Sequence, residues 1–498
     1  MIFTEFRFFI FFALVFGVYW ALRSNGWRKG WILLCSYAFY GAWDWRFLSL
    51  IIGSTLVDYV VGLNLVKTDS QKTRRTWLML SLLVNLGALA FFKYAGFFVE
   101  SAVGLFDFVG LPVNSVTLSI VLPVGISFYT FQTLSYSLDI YAGKLEPKKS
   151  LLDLATFVAF FPQLVAGPIV RAADFLPQLE VARSFSQVNV RACLTLFMVG
   201  FFKKACVSDN LAPIVDKYFA DPGAFDALSG WIGVLSYTVQ IYCDFSGYSD
   251  MAIACAGLLG YELCLNFNFP YFANSITDFW RRWHISLSTW LKDYLYIPLG
   301  GNRGGQIFTY RNLLLTMVLG GLWHGAAWTF VVWGALHGGA LIVHKEWSKW
   351  TKNRQKPSFL LNQTLRTKNI RTQSIPEPGD RKPMAKKSAL TPYWAVPLTF
   401  YWVCITWVFF RADSFASAMT VLRSFVLFDS PGAQQLSVGV LGFIAVLLVL
   451  HWLTMQRVWT QAIAQLPTQL FAVGYGFAAA VILTLVPVGY TAFIYFQF

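Results

Sequence analysis

Apolar segments recur along the whole chain and leave few stretches suited to a water-exposed surface. Several are longer than the roughly 18 to 20 residues that cross a bilayer as a helix, whereas others are short or are interrupted by Pro and Gly. We predict an all-α polytopic membrane protein with about ten or eleven transmembrane helices, in which the shorter segments form re-entrant or interfacial helices. The segments cover residues 8–19, 30–43, 46–66, 77–98, 117–141, 192–207, 228–245, 308–322, 326–344, 393–410, 437–455 and 470–496.

The charge content excludes an ordinary soluble enzyme. Charged residues make up 13% of the 498 residues, about half of the share that is usual in a soluble domain. Aromatic residues reach 18%, and such rings collect where a membrane meets water. The net charge of +14 would suggest nucleic acid in a soluble protein, but Lys and Arg also collect in the cytoplasmic loops of membrane proteins. We therefore expect contact with membrane lipid and none with nucleic acid.

One basic segment carries most of the excess charge. Residues 345–390 contain 12 Lys and Arg against three acidic residues, a balance of +9. The segment is rich in Pro and polar residues and lacks helical periodicity, so we expect a long, partly disordered cytoplasmic loop, with a specific partner-binding role as the alternative. If the basic clusters at residues 23–29, 67–75 and 144–149 are also cytoplasmic, the N-terminus faces outward. Nothing indicates a separate soluble domain, and we expect residues 1–498 to form one membrane domain.

The regular succession of apolar segments fails between residues 244 and 325. Polar residues, Gly and Pro are concentrated there, and such a stretch must be buried in protein, line a wet cavity or lie in the interface. Apolar side chains recur within it at spacings of three and four residues, at Trp280, Trp283, Leu287, Trp290 and Leu291. This spacing predicts an amphipathic helix lying along the membrane surface.

The charged residues of this stretch allow two interpretations. Arg281, Arg282 and Lys292 would contact lipid headgroups or, alternatively, attract an anionic donor or polymer. The aspartates could support an active site through hydrogen bonds to its residues, although the sequence does not show which of them approach it: Asp244, Asp250, Asp278 and Asp293. The seven cysteines include no CxxC pair and lie mostly in apolar runs, so we expect neither a disulfide framework nor a metal site.

His324 is the main candidate for proton chemistry. It follows an apolar helical run and is flanked by glycines and Trp323, which would allow close approach of a substrate and keep the imidazole neutral and basic. A structural histidine bonded to a neighbouring helix is the alternative. His284 lies 40 residues earlier, and spacing alone does not show whether the two rings meet. His337 would lie about 20 Å further along a continuous helix, outside that site although it could line the same passage.

The other two histidines have simpler explanations. His344 adjoins Lys345 at the end of an apolar segment, and His451 lies within a late apolar segment. We expect both to be structural.

The motifs around these histidines resemble the membrane-bound O-acyltransferase superfamily, and within it the bacterial branch of alginate and other polysaccharide O-acetyltransferases. The match is distributed in order over residues 120–412 and is specific for the superfamily and branch, but less specific for the acceptor. Its main elements are FWRRWHISLSTW at residues 279–290, DYLYIPLGG at residues 293–301, GGLWHG at residues 320–325 and WGALHG at residues 333–338.

The resemblance implies a fold, a site and a reaction. The helices would form a ring around a central funnel or tunnel, with a catalytic block at residues 244–340. His324 falls on the family's catalytic histidine at the constriction, and His284 falls on its second site position. By this resemblance His324 would act as the general base, and His284 would orient the acceptor, polarise the acyl carbonyl or bind a water.

The resemblance also implies substrates and partners. The donor would be cytoplasmic acetyl-CoA or an acyl group on a carrier protein, with no metal involved. The acceptor would be a hydroxyl of an exported polysaccharide, alginate-type first, or of a periplasmic partner transferase. The protein would then lie in the bacterial inner membrane beside a periplasmic acetyltransferase and export-complex proteins.

Alternatives remain open. The acceptor could be peptidoglycan or another exopolysaccharide. A polysaccharide or lipid transporter that catalyses nothing would also have many spans and a broken polar middle, although no inverted repeat is visible. A role as a scaffold subunit of an export complex is a third alternative, and it is compatible with the enzymatic function.

Overall fold

The apolar segments fold as helices because a backbone in lipid can pair its N–H and C=O groups internally only in a helix or a closed barrel. The computed structural model describes residues 1–111, 120–359, 394–487, 489 and 494. Within these residues there is no strand, and a single isolated bridge pairs Phe225 with Gln434. The all-α prediction is confirmed for the described part of the chain.

The helices of residues 1–180 are α1 (Phe6–Ala21), α2 (Asn25–Asp44), α3 (Leu48–Leu65), α4 (Gln71–Leu89), α5 (Ala95–Phe108), α6 (Ile126–Tyr141), α7 (Leu151–Ala159), α8 (Phe161–Leu164) and α9 (Ala172–Glu180). The central helices are α10 (Val190–Phe201), α11 (Asp209–Ala220), α12 (Ala227–Leu258), α13 (Ile276–Trp280), α14 (Ile285–Leu291), α15 (Gln306–His324) and α16 (Trp328–Phe359). The last helices are α17 (Ala395–Arg411), α18 (Phe415–Leu427), α19 (Gly439–Met455), α20 (Val458–Gln465) and α21 (Thr468–Thr484).

Several helices have the length and surface that a bilayer requires. The segments Asn25–Leu65 and Gln71–Phe108 are long and apolar enough to cross a membrane, and shorter apolar helices lie before and after them in the described part of the chain. The described side chains of α19 and α21 include no buried residue, which suits helices that contact lipid. The figure of about ten or eleven crossings stays a prediction.

Helices α15 and α16 form a closely packed hairpin. A Cβ atom at Gly321 would lie 2.2 Å from the carbonyl oxygen of Phe330, and one at Gly334 would lie 2.4 Å from that of Met317. Both contacts are shorter than van der Waals separation, so the hairpin requires glycine at these two positions. The glycines thus allow the close approach of the two helices that flank the turn after His324.

Helix α12 is longer than predicted. The predicted apolar segment ended at residue 245, but the helix continues to Leu258, so the start of the polar stretch is buried in protein, one of the three settings predicted for it. The polar residues stay helical because Asp244 and Asp250 form ion pairs of 2.5 and 2.7 Å with Lys204 and Lys203 of the neighbouring π-helical segment Phe202–Ser208. Paired charges can remain buried within a helical bundle.

The predicted loop at residues 345–390 needs a correction. Helix α16 runs through its first part and ends at Phe359, so residues 345–359 are helical. An ion pair of 2.6 Å joins Lys349 to Glu346 three residues earlier, which is a helix-stabilising spacing. Residues 360–390 of the predicted loop lie outside the described residues.

Candidate active site

His284 lies in a break between two short helices. The break separates α13 from α14, and the backbone of His284 has φ 42° and ψ 55°, in the left-handed region. A non-glycine residue rarely adopts this conformation, and it persists only where the surroundings enforce it.

The predicted amphipathic surface helix is therefore wrong. Its apolar residues Trp283, Leu287, Trp290 and Leu291 are all buried within the protein. Trp290 stacks on Phe131 at 3.7 Å between ring centroids and donates a hydrogen bond of 3.0 Å to the carbonyl oxygen of that residue. The periodicity was that of a buried face, which spacing alone cannot distinguish from a face on the bilayer.

Asn266 holds the chain around His284. Its carbonyl oxygen accepts from Ile285 N at 2.9 Å, and its side-chain oxygen accepts from the backbone N and the hydroxyl of Ser286 at 3.3 and 2.9 Å. Its amide nitrogen donates to Ser249 Oγ of α12 at 3.1 Å. Asn266 is fully buried, so these bonds fix the segment that carries His284 against α12.

His324 is the last residue of α15, where helix carbonyls lose their partners within the helix. Lys93 Nζ donates to the carbonyl oxygens of Trp323 and His324 at 2.7 and 2.8 Å. Tyr94 donates its hydroxyl proton to the carbonyl oxygen of Leu322 at 2.8 Å. The helix end that carries His324 is thus held by two adjacent residues of the π-helical segment Ala90–Tyr94.

The fold brings the two predicted site histidines together. Their ring centroids are 6.2 Å apart, and the exposures of the two residues are 0% and 3%. Neither nitrogen of His284 has a hydrogen-bond partner among the described residues. Aromatic rings surround both imidazoles, with Phe245 at 4.6 Å from His284 and Trp333 and Phe410 each at 5.2 Å from His324. Such surroundings exclude water and favour neutral imidazoles that can accept or relay a proton.

A cavity reaches His324. Its volume is about 310 Å³, and its lining includes His324, Trp323, Lys93 and Phe128, but not His284. A second cavity of about 480 Å³ is lined by Glu5 and Arg7 near the start of α1. The two cavities share three lining residues, Trp43, Val124 and Val165.

Of the remaining histidines, His337 lies close to His324, and His344 and His451 lie elsewhere. Trp333 separates His324 from His337, with its ring 5.2 Å from the first and 4.7 Å from the second. His344 Nδ1 is 2.8 Å from the hydroxyl of Thr277. His451 packs against the rings of Phe269 and Tyr242 at 4.8 and 5.2 Å. His337 is therefore much nearer to His324 than the distance of about 20 Å expected for a continuous helix, because the chain turns between α15 and α16 and brings both imidazoles onto the same Trp333 ring. His337 is not among the residues that line the cavity at His324. The contacts of His344 and His451 are those of structural side chains.

The predicted supporting aspartates form ion pairs elsewhere. Asp278 pairs with Arg282 at 2.9 Å, and Asp293 pairs with Arg171 at 2.8 Å, in addition to the two pairs of α12. The cysteines of the described residues form no disulfide. No group of three or more His, Cys, Asp and Glu in that part of the chain could hold a metal ion; that the reaction uses no metal stays a prediction.

Lys93 and Asn266 were not predicted as site residues. Lys93 interrupts the apolar segment at residues 77–98, and an ionisable residue within such a segment is a signal of function. Asn266 carried no comparable signal, because its role depends on which backbone atoms the fold brings to it.

Comparison with known proteins identifies the family of this chain. The sequence matches the family model of the membrane-bound O-acyltransferase family over residues 32–362, and the chain belongs to this family. It is 48% identical over 343 residues to a protein of Azotobacter vinelandii named Probable alginate O-acetylase AlgI, a match that covers 68% of this chain and 67% of that protein.

Two further relatives extend the comparison. The protein of the same name in Pseudomonas aeruginosa is 46% identical over 341 residues, which are 68% of this chain and 64% of the relative. A peptidoglycan O-acetyltransferase of Helicobacter pylori is 38% identical over 424 residues, which are 80% of this chain and 73% of the relative. The matches to the two alginate O-acetylases thus span about two thirds of their length.

Proposed function

We propose that this protein is a membrane-embedded O-acetyltransferase that moves an acetyl group from a cytoplasmic donor to hydroxyls of an exported polysaccharide. The observation that carries the proposal is the buried pair His284 and His324, 6.2 Å apart, with His324 lining a cavity. Alginate is the first candidate acceptor, because the relatives from Azotobacter vinelandii and Pseudomonas aeruginosa are named alginate O-acetylases.

In the proposed reaction His324 is the general base. It removes the proton of the acceptor hydroxyl as the oxygen attacks the acyl carbon, and it returns the proton to the leaving group. His284 has two ring nitrogens without a partner among the described residues, which suits a side chain that bonds to a substrate or a water in the loaded enzyme. The aromatic surroundings limit hydrolysis of the donor by water.

The positions of the two cavities support entry of the acceptor from the outer side of the membrane. The second cavity opens beside Glu5 and Arg7 at the start of α1, whereas a basic cluster lies at residues 23–29 after its end. Helix α1 has 16 residues, which is about 24 Å of rise. If the basic end is cytoplasmic, the acceptor reaches His324 from the outer side, through a funnel within a ring of helices.

The setting of this reaction is the bacterial inner membrane. The donor is acetyl-CoA or an acylated carrier protein on the cytoplasmic side, and the immediate acceptor is the polymer or a periplasmic acetyltransferase within an export complex. Peptidoglycan is the second candidate acceptor, because the relative from Helicobacter pylori is named a peptidoglycan O-acetyltransferase and its match covers 80% of this chain.

The test uses the full-length protein in liposomes with radiolabelled acetyl-CoA and, in parallel, alginate oligosaccharides or peptidoglycan fragments. We expect label in one acceptor with the wild type, and a loss of about 100- to 10,000-fold with His324→Ala. His451→Ala is the matched control, because His451 is also surrounded by aromatic rings but is not among the residues that line the cavity. Wild-type acetylation by His324→Ala would contradict the role of His324, and movement of unmodified polymer would favour a transporter.

A further inference from the structure

Lys93 is an ionisable residue placed deep in an apolar segment. It lies in the π-helical turn Ala90–Tyr94, within the long apolar segment Gln71–Phe108. Single π-helical turns inside longer helices are frequent at functional sites. A lysine in such a segment is costly unless its charge is used.

The protonated side chain of Lys93 has more N–H donors than the hydrogen bonds it forms. An ammonium group has three N–H donors, and two of them are bonded to the carbonyl oxygens of Trp323 and His324. Among the described residues the third N–H has no oxygen or nitrogen acceptor and no carboxylate pairs with Lys93, whose Nζ atom also lies over the Trp323 ring, 6.0 Å from its centroid. Two neutral carbonyls satisfy donors but do not neutralise the charge.

The remaining donor is available at the site itself. Lys93 lines the same cavity of about 310 Å³ as His324 and Trp323. Its two bonded carbonyls belong to His324 and to the residue before it, so the ammonium and the imidazole are held together by the backbone of the helix end. Away from bulk water, the protonated form of Lys93 would act strongly on any negative charge that develops beside it.

We propose that Lys93 is the oxyanion-stabilising group of this site, an inference that rests on the proposed acetyl transfer. The acceptor oxygen attacks the acyl carbon of a thioester, its proton passes to His324, and the carbonyl electron pair moves onto the carbonyl oxygen. The free N–H of Lys93 donates to that oxygen. The carbonyl then reforms, the carbon–sulfur bond breaks, and the thiolate takes the proton from His324.

The competing explanation is that Lys93 only anchors the end of α15. Tyr94 provides a matched control, because its hydroxyl bonds to the carbonyl oxygen of Leu322 on the same helix end but Tyr94 is not among the residues that line the cavity. Lys93→Gln separates the two roles further, because a glutamine amide keeps two N–H donors for the carbonyls but has no charge and no third donor.

The experiment measures kcat and KM for acetyl-CoA with Lys93→Gln, Lys93→Met, Lys93→Arg and Tyr94→Phe, each in liposomes, together with the thermal unfolding of each variant. We expect kcat of Lys93→Gln and Lys93→Met to fall about 100- to 1,000-fold, as when an oxyanion donor is lost. We expect KM to change by less than about threefold, and Lys93→Arg and Tyr94→Phe to retain most activity.

The outcomes separate the two proposals. If the wild type is active, His324→Ala is inactive and Lys93→Gln matches the wild type, the role of Lys93 is wrong and the proposed function stands. Equal losses in Tyr94→Phe and Lys93→Gln would reduce Lys93 to an anchor of the helix end and overturn the inference. If the wild type transfers no acetyl group to any acceptor, the proposed function is wrong and the inference falls with it.

Discussion

The imidazole rings of His284 and His324 lie 6.2 Å apart although 40 residues separate them in the chain. His284 occupies a left-handed turn, and His324 ends a helix whose last carbonyls are bonded to Lys93. The backbones of His284 and His324 are therefore held in different ways, while both imidazole rings contact the ring of Trp323.

The backbone of His284 limits which substitutions are informative. We expect His284→Asn to fold like the wild type, because Asn tolerates the left-handed conformation, and to lower kcat by about 10- to 100-fold through loss of the imidazole. His284→Val should also lose stability, because a β-branched residue is strained at φ 42°. Acetylation assays and thermal unfolding in detergent would check both. A His284→Asn protein with unchanged kcat would remove His284 from the mechanism.

Asn266 should act through His284 without contacting substrate. We expect Asn266→Ala to lower kcat with little change in KM and to cost about 1 to 3 kcal/mol of stability, because buried groups lose their partners. Asn268→Ala is the comparison, because Asn268 bonds to this segment through its backbone N, which donates to Arg282 O at 2.9 Å. Similar kinetics for the two variants would show that the Asn266 side chain is not required to position His284.

A substitution at Gly334 tests whether α15 and α16 must pack closely. We expect Gly334→Ala to destabilise the protein by about 1 to 3 kcal/mol and to displace the helix that carries His324, because the added Cβ would meet the carbonyl oxygen of Met317. Gly339→Ala lies on the same helix with no atom within 4 Å of the added Cβ, and it should be near neutral. Unfolding of both variants in the same detergent, followed by tryptophan fluorescence, would measure the difference. Equal stability of the two would contradict the packing argument.

Removing the charge of Lys204 beside α12 should destabilise the protein more than removing the charge of Asp209. Lys204 pairs with Asp209 at 2.7 Å and with Asp244 at 2.5 Å. Lys204→Met leaves both carboxylates without this cation, and we expect a loss of about 3 to 5 kcal/mol. Asp209→Asn leaves one lysine facing one carboxylate and should cost much less. Denaturant unfolding in mixed micelles would rank the two variants, and an equal or larger loss for Asp209→Asn would contradict this account.

Hydropathy and motif order were enough to predict the class of the protein. Apolar segments with few charges can satisfy their backbone only as helices in lipid, and the motifs that contain His284 and His324 predicted the family. Local patterns were sufficient for this because hydropathy and motif order are properties of neighbouring residues.

The contacts made by those motifs depend on how distant parts of the chain pack together. Spacing assigned the apolar face with Trp283 and Trp290 to the membrane surface, but the fold buries it, because lipid and protein interiors are equally apolar and periodicity cannot distinguish them. The polar residues Asp244 and Asp250 marked the start of an irregular polar stretch, yet they lie inside α12, paired with lysines 40 and 47 residues away. The meeting of His284 with His324, and the contacts of Asn266 and Lys93, likewise join distant parts of the chain, so only the packed structure could establish them.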